Sequence, residues 1–333
     1  MRVTIRDVAK KANVSVATVS HVINNSKYVS EDLRRKVLQA MKELNYVPNS
    51  VAKRLRSKKS NIIGLIVPML PDDTSSFFFI SVAQGIENTL KKYGYSLLLS
   101  NSYEQLEREK ELIKLFNTQM IDGLIIAPTK DEHSFMHEMI GNNYPIVFID
   151  RIPKGFSSDC VLSDNFKGSY EAVYTLIKKG HKKIGFISGP LGITTSDERI
   201  EGYKRAIIDN NLEVVYSLIR IGEANFNNGY EFAKELVEKE GVTALFVANN
   251  VMANGTVKYL YDSNIKVPEQ IAIIGYDDYQ WTSVTNPPLS VVKQYPYEMG
   301  VKAAEVLLNR INRKSTKYGE YRLPTELIVR GTC

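Results

Sequence analysis

The chain has 333 residues, 44% hydrophobic and 24% charged, the balance of an ordinary globular protein long enough for two or three compact units. Its longest apolar run, Ile62 to Leu70 interrupted by Pro68, falls far short of the roughly 20 residues that cross a bilayer. The opening "MRVTIRDVAKK" lacks the apolar segment of a secretory signal. Two cysteines, Cys160 and Cys333, make neither a disulfide framework nor a metal knuckle, which points to a reducing cytoplasm. The charge is uneven: the first 60 residues hold fourteen Lys/Arg against four Asp/Glu, the remainder 29 against 33. A basic head on a mildly acidic body points to a polyanionic partner for the head.

The head is patterned. In "TIRDVAKKA" Thr4 is an N-cap, and Ile5, Val8, Ala9 and Ala12 form an i, i+3, i+4, i+7 stripe. A short turn, Asn13-Val14-Ser15, leads to a second helix from Val16 to about Ile23, capped by Ser15 and burying Val19, Val22 and Ile23. Ser30 caps a third helix running to about Leu44, with Leu33, Val37, Leu38, Met41 and Leu44 on one face. Three short helices, the first two joined by a three-residue turn, describe a helix-turn-helix module. A recognition helix needs small and polar side chains near its N-terminus, because its backbone lies in the major groove. "SVATVSHVIN" supplies them: Val16 and Ala17 suit thymine methyls, and His21 lies on the polar face where it reaches a base edge. Thr4, Ser15, Thr18, Ser20 and Asn24 suit phosphates.

"VTIRDVAKKANVSVATVSHVIN" followed by "YVPNSVAKRLRSKK" resembles the head of the lactose-repressor/galactose-repressor family of bacterial transcription regulators. The resemblance implies base-reading roles for Val16, Ala17 and His21, and a short hinge helix opened by Pro48-Asn49 at about residues 50–56. It also implies a purpose for Leu55, the one large apolar side chain among five Lys and Arg in "SVAKRLRSKKS". Hinges from two subunits pair in the minor groove, and each inserts its leucine between bases of a central step. Lys53, Arg54 and their basic neighbours then hold flanking phosphates. The domains expected are residues 1–48 for the DNA-binding head, 49–60 for hinge and linker, and 61–333 for effector binding and dimerisation.

From residue 61 strand and helix alternate. "NIIGLIVP", "YSLLLSN", "DGLIIAP" and "PIVFIDR" read as strands, with "SVAQGIENTLKKYG" and "EREKELIKLFNTQ" as helices between them. The rhythm returns in "KKIGFISG", "RIEGYKRAIIDNN", "TALFVANN", "VMANGTVKYLYDSN" and "IAIIGYDD". Apolar strands alternating with helices mean parallel sheets covered on both faces. The expected fold is a small all-α helix-turn-helix head plus an α/β body of two doubly wound parallel-sheet lobes. They meet near residues 160–163, one about 61–160 with part of the C-terminal region, the other about 163–290 with the rest. The late segments "LSVVKQ" and "EYRLPTELIVR" are expected to cross between lobes.

Ligands of such sheets bind beyond the carboxyl ends of strands. Those ends offer Phe77-Phe78-Phe79, Asp150-Arg151, Asp164-Asn165, Asn249-Asn250 and Asp277-Asp278, and Arg199 adds a guanidinium at a helix start. Carboxylates accept from paired hydroxyls and Arg and Asn donate to ring oxygens, which suits a sugar or another polar ring compound. An Asp ending a strand is about as often a plain helix cap. The body also resembles the family's effector domain of periplasmic-binding-protein type. That implies ligand contacts from Phe78, Phe79, Asp150, Arg199, Asn249 and Asp277, alongside Arg151 and Asp164. Two departures bear on the ligand class: Asn250 stands where the family usually has Asp, and Ala224 where an aromatic is common, with Phe226 two residues on.

His133 and His137 in "EHSFMHE" read as i, i+4 on a helix with no third metal ligand evident. Dinucleotide, phosphate-loop and hydrolase-elbow motifs are absent from the sequence. No catalytic residue, metal or cofactor is therefore expected. The reading is a ligand-responsive dimeric regulator of double-stranded operator DNA, with a small-molecule effector and no membrane association. The rivals are a sugar receptor without a DNA role and a doubly wound hydrolase. No leucine-heptad tail follows "LIVRGTC", so the sequence offers no support for a tetramer.

Overall fold

The computed structural model describes residues 3–24, 26–46, 59–70, 76–140, 144–313 and 317–333. The chain divides into two compact units, Met1–Ser60 and Asn61–Cys333.

The first unit contains α1 (Ile5–Ala12), α2 (Val16–Asn24) and α3 (Glu31–Glu43). At the start of α1 the Thr4 N–H and Oγ1 both donate to the Asp7 carboxylate, at 2.8 and 2.7 Å. The chain leaves α1 through Asn13 in left-handed backbone, φ 54°, a conformation Asn tolerates better than most residues. The Ser15 side chain then caps α2 by accepting from the Thr18 N–H at 3.0 Å. Val8, Ala9, Ala12, Val19, Val22, Val37 and Ala40 form the core, ringed by Ile5, Val14, Ile23, Met41 and Leu44. Leu33 and Leu38 were expected on this buried face and are exposed. Val37 and Ala40 face the other helices instead, and two short helices are too small to cover the Leu38 side of α3 as well.

The second unit holds two six-stranded sheets among the described residues. The first runs in the order β11 (Glu320–Leu323), β5 (Asp159–Ser163), β4 (Ile146–Ile149), β3 (Gly123–Ile126), β1 (Ile62–Val67), β2 (Ser96–Asn101). Every pairing in it is parallel. The second runs β12 (Glu326–Ile328), β10 (Ser290–Lys293), β9 (Ala272–Tyr276), β8 (Ala244–Val247), β6 (Ile184–Ser188), β7 (Ile219–Ile221), with β12 alone antiparallel to its neighbour. The inner strands are buried along nearly their whole length, as parallel strands sandwiched between helices must be. The first lobe carries α4 (Ser76–Lys91), α5 (Leu106–Thr118) and α6 (Met136–Met139). The second carries α7 (Asn165–Lys178), α8 (Thr194–Asp209), α9 (Phe226–Glu235), α10 (Asn250–Asp262) and α11 (Gln280–Val284).

After β10 the chain returns to the first lobe as α12 (Pro296–Ile311) and packs on α4. Two glycines allow this approach. A Cβ on Gly85 would lie 2.1 Å from the Tyr297 carbonyl oxygen, and one on Gly300 would lie 2.0 Å from that of Val82. The chain thus passes between lobes after β5, after β10 and after β11. The first and third passages are tied by Asp164 N–H to Leu323 O at 2.8 Å and Thr325 Oγ1 to Asp164 O at 3.2 Å.

Three helix boundaries differ from the sequence reading. α4 begins at Ser76, five residues before its expected start, and takes in the Phe triplet. α8 begins at Thr194, so Arg199 lies in its second turn. His133 is outside any helix; only His137 is helical, in the four-residue α6. The His133 backbone N–H donates instead to Lys154 O at 2.8 Å.

Candidate functional site

On the head, Val16 and Ala17 stand exposed at the start of α2. Beside them the polar groups are held: Ser15 Oγ and Thr18 Oγ1 share a hydrogen bond of 2.9 Å. Asn24 Nδ2 donates to Ser20 O at 2.8 Å, and His21 Nδ1 is 3.0 Å from Ser26 Oγ. Thr4 is engaged with Asp7, whose carboxyl those two bonds hold below the usual carboxylate range. Asn49, Lys53, Arg54 and Leu55 lie outside the described residues.

In the body, the carboxyl ends of the strands bring charged side chains together. Asp150 follows β4 in left-handed backbone, φ 66°, and is 8% exposed. Its carboxylate receives no hydrogen bond from the described residues, and the nearest cationic atom is Arg151 Nε at 3.5 Å. Burial pushes its carboxyl above the usual range; Asp277 and Glu104 add to this, while Arg151 and Arg199 oppose it. Asp277 follows β9 at φ 67° and is also buried. It accepts from Gln294 Nε2 at 2.7 Å and Asn250 Nδ2 at 3.0 Å. The amide of Asn250 therefore serves as an internal donor to Asp277.

Arg199 is buried with its guanidinium 3.7 Å above the Tyr276 ring. Nε donates to Asn165 Oδ1 at 3.0 Å and Nη1 to Ala248 O at 2.9 Å. Such stacking and hydrogen bonding compensate a buried cation. Arg151 spends Nη1 on both Glu104 oxygens, at 2.9 and 2.8 Å, and on Pro128 O at 3.1 Å.

Other expected ligand residues have structural duties. Asp164 Oδ1 caps α7 by accepting from the Lys167 N–H at 3.1 Å, and Asn249 Oδ1 caps α10 from the Met252 N–H at 3.1 Å. Phe78 and Phe79 lie in the apolar core of the first lobe, edge to face at 5.3 Å. Phe77 is the exposed member of the triplet, and its ring lies 6.0 Å from that of Tyr279 in the other lobe. Phe226 is partly exposed at the start of α9.

Sequence reasoning missed Tyr276 and Gln294, whose signal was available: Tyr276 ends β9 and Gln294 stands just past β10. Buried polar atoms without a partner follow the same rule. Five of the seven found among the described residues, Ser102 Oγ, Thr129 Oγ1, Arg151 Nε, Ser188 Oγ and Gln294 Oε1, belong to residues at or within three positions past a strand's carboxyl end.

Among the described residues no group of three or more His, Cys, Asp or Glu side chains is placed to hold a metal ion. His133 is fully buried, with Nε2 2.8 Å from Glu109 Oε1 and Nδ1 2.8 Å from Asp131 O. No described helix is long and apolar enough to cross a membrane.

A helix-turn-helix head and a two-lobed body with charged side chains gathered at its strand ends are the features of a DNA-binding transcription regulator with a periplasmic-binding-protein-like domain, not an enzyme. Residues 4–49 match the family model described as bacterial regulatory proteins, lacI family, and residues 173–333 match that of a periplasmic binding protein-like domain. The chain belongs to the lacI family. It is 33% identical to the HTH-type transcriptional repressor PurR of Aliivibrio salmonicida (strain LFI1238), over 98% of each chain. It is also 33% identical to catabolite control protein A of Priestia megaterium, over 99% of each. Among solved structures, the lac repressor dimer bound to operator and the anti-inducer ONPF superposes with a TM-score of 0.86 at 28% identity, covering 100% of this chain and 99% of that one. The transcriptional regulator CelR in complex with cellobiose does so with a TM-score of 0.75 at 29% identity, over 100% of each chain.

Proposed function

We propose that this chain is a ligand-responsive transcriptional repressor of the cytoplasm. It binds a pseudopalindromic operator as a homodimer and changes its grip when a small polar ring compound, a sugar or close derivative, occupies the cleft between its lobes. The single observation that carries the effector half is Asp150: a buried carboxylate in strained backbone, with no hydrogen-bond donor among the described residues. Such an acceptor calls for ligand hydroxyls or amines. Asp150 and Asp277 set against Arg199 give the cleft a negative balance, which disfavours anionic ligands such as sugar phosphates. Arg199 and Asp277 take the other face of the ligand, and Phe77 with Tyr279 covers its apolar side.

The DNA half is supported by the exposed Val16 and Ala17, the held polar groups around them and the basic composition of the head. Leu55 with Lys53 and Arg54 supplies the minor-groove wedge. A hinge segment this short gains little helix stability alone, so pairing two hinges on DNA makes binding sensitive to their separation. Ligand shifts that separation only through differential affinity for two lobe arrangements.

The test has two arms. Full-length protein is titrated with duplex DNA across salt concentrations, and selection from random duplexes should return a two-fold-symmetric site. Calorimetry against glucose, galactose, ribose, cellobiose and glucose 6-phosphate should find a neutral sugar that binds wild type and not Asp150→Asn. Failure to hold duplex DNA at low ionic strength overturns the first half; preference for the phosphate overturns the second.

A further inference from the structure

α8 places Glu198 and Arg199 side by side, and they face different partners. Arg199 reaches Asn165, which also accepts the Tyr276 hydroxyl at 3.1 Å. Asn165 is fully buried and is the first residue of α7, directly after the passage from the first lobe. Its Nδ2 donates to Ser163 O at 3.2 Å and makes a longer contact of 3.5 Å with Glu198 Oε2. The Glu198 carboxylate is gripped from the other lobe: Arg322 of β11 donates Nη2 to Oε1 at 2.7 Å and Nη1 to Oε2 at 3.0 Å. Arg322 Nε is steadied by Glu320 Oε1 at 2.6 Å.

We propose that Asn165, Glu198 and Arg322 are positioning residues that link Arg199 in the effector cleft to the angle between the lobes. The link rests on the reading that Arg199 meets the effector. The Arg322–Glu198 pair is two-pronged, so both bonds survive at one relative orientation of the lobes, and rotation breaks at least one. The pair is partly exposed, 34% and 20% at the side chains, where ion pairs add little net stability. Its value is directional: it selects one lobe arrangement, and Asn165 at the passage transmits any displacement of Arg199 to it.

The experiment needs neither DNA nor effector. Full-length protein carrying Lys114→Cys in α5 and Lys234→Cys in α9, with Cys333→Ser, is labelled with donor and acceptor dyes. It is mixed with excess unlabelled chain so that each pair reports one molecule. Single-molecule transfer efficiency then reads the separation of the lobes. The parent should give one narrow population. Glu198→Gln, Arg322→Met and Asn165→Ser should each broaden or displace it, and Arg322→Lys, which keeps charge without the two-pronged grip, should do so less. The double variant Glu198→Arg/Arg322→Glu, made together with Glu320→Gln so that the new carboxylate does not meet Glu320, should restore it. All should melt within a few degrees of the parent, and Asp262→Asn, which breaks a pair within the second lobe, should leave the distribution unchanged. An unchanged distribution in Glu198→Gln and Arg322→Lys overturns the latch, as does a double variant no better than its singles. An unchanged distribution in Asn165→Ser overturns the link to Arg199. Loss of duplex binding in the earlier test would leave these results standing.

Discussion

Asp150 and Asp277 occupy the same station in the two lobes. Each follows the fourth strand of its lobe, each has a positive φ near 66°, and each sends its N–H to the neighbouring strand, Asp150 to Val161 O at 3.0 Å and Asp277 to Val292 O at 2.8 Å. Left-handed backbone is costly for a residue with a Cβ and is characteristic of functional positions. The two differ in what they hold: among the described residues Asp277 has two amide donors, and Asp150 has none.

That difference gives Asp150 a pH signature. Burial raises its carboxyl, so the folded protein binds this proton more tightly than the unfolded chain does. The associated stability is full below the ordinary carboxylate value, 3.8, and is lost as pH rises through the raised one. Asp150→Asn removes the buried charge. It should melt above wild type at neutral pH, and the gap should close as pH falls towards that ordinary value. Thermal melts across this range check it; a gap independent of pH would contradict the assignment.

The cap of the recognition helix is open to a simple test. Ser15→Ala removes the side-chain acceptor of the Thr18 N–H and should cost about 1 kcal/mol of head stability. Hydrogen exchange of the α2 amides in the full chain should accelerate, with those of the second unit unchanged.

Binding to DNA should depend steeply on salt. Each phosphate contact contributes about 0.9 to the slope of log affinity against log salt, so Lys53→Ala and Arg54→Ala, each removing one contact per subunit, should each lower the slope of the dimer by about 2. Replacing Val16 or Ala17 should redirect sequence preference and leave the slope in place. Fluorescence anisotropy at four or more salt concentrations separates the two outcomes.

The Glu109–His133 pair is buried on both sides. His133→Phe removes the partner of Glu109 Oε1 while Oε2 keeps the Thr129 N–H, and should destabilise the body by about 1–3 kcal/mol, whereas the double change with Glu109→Leu should recover part of the loss. Urea unfolding of the four proteins measures the coupling.

The head was legible because its pattern is local. Thr4, Ser15 and the stripe Val8–Ala9–Ala12 mark helices whose caps and cores lie within a few residues, and α1 and α2 fall where that pattern puts them. The alternation of strands and helices was legible for the same reason, since continuous Ile/Val runs advertise burial on both faces. Side-chain direction was harder to read. Phe77, Phe78 and Phe79 are equal in sequence, yet α4 turns two into the core and one outward, because a helix starting at Ser76 sets that phase. Asp164 and Asp150 both end strands, and only the three-dimensional neighbours decide that one caps a helix and the other stands open. The Arg322–Glu198 contact spans 124 positions, beyond the reach of any local pattern.

The return of α12 and β11 to the first lobe has a consequence for how the molecule is made. β5 lacks its outer neighbour, and α4 its cover, until residues 296–323 have left the ribosome. During synthesis the early lobe waits as an open-edged, partly uncovered sheet while the later one is being built. Chaperone dependence should therefore fall on the half of the body that is translated first.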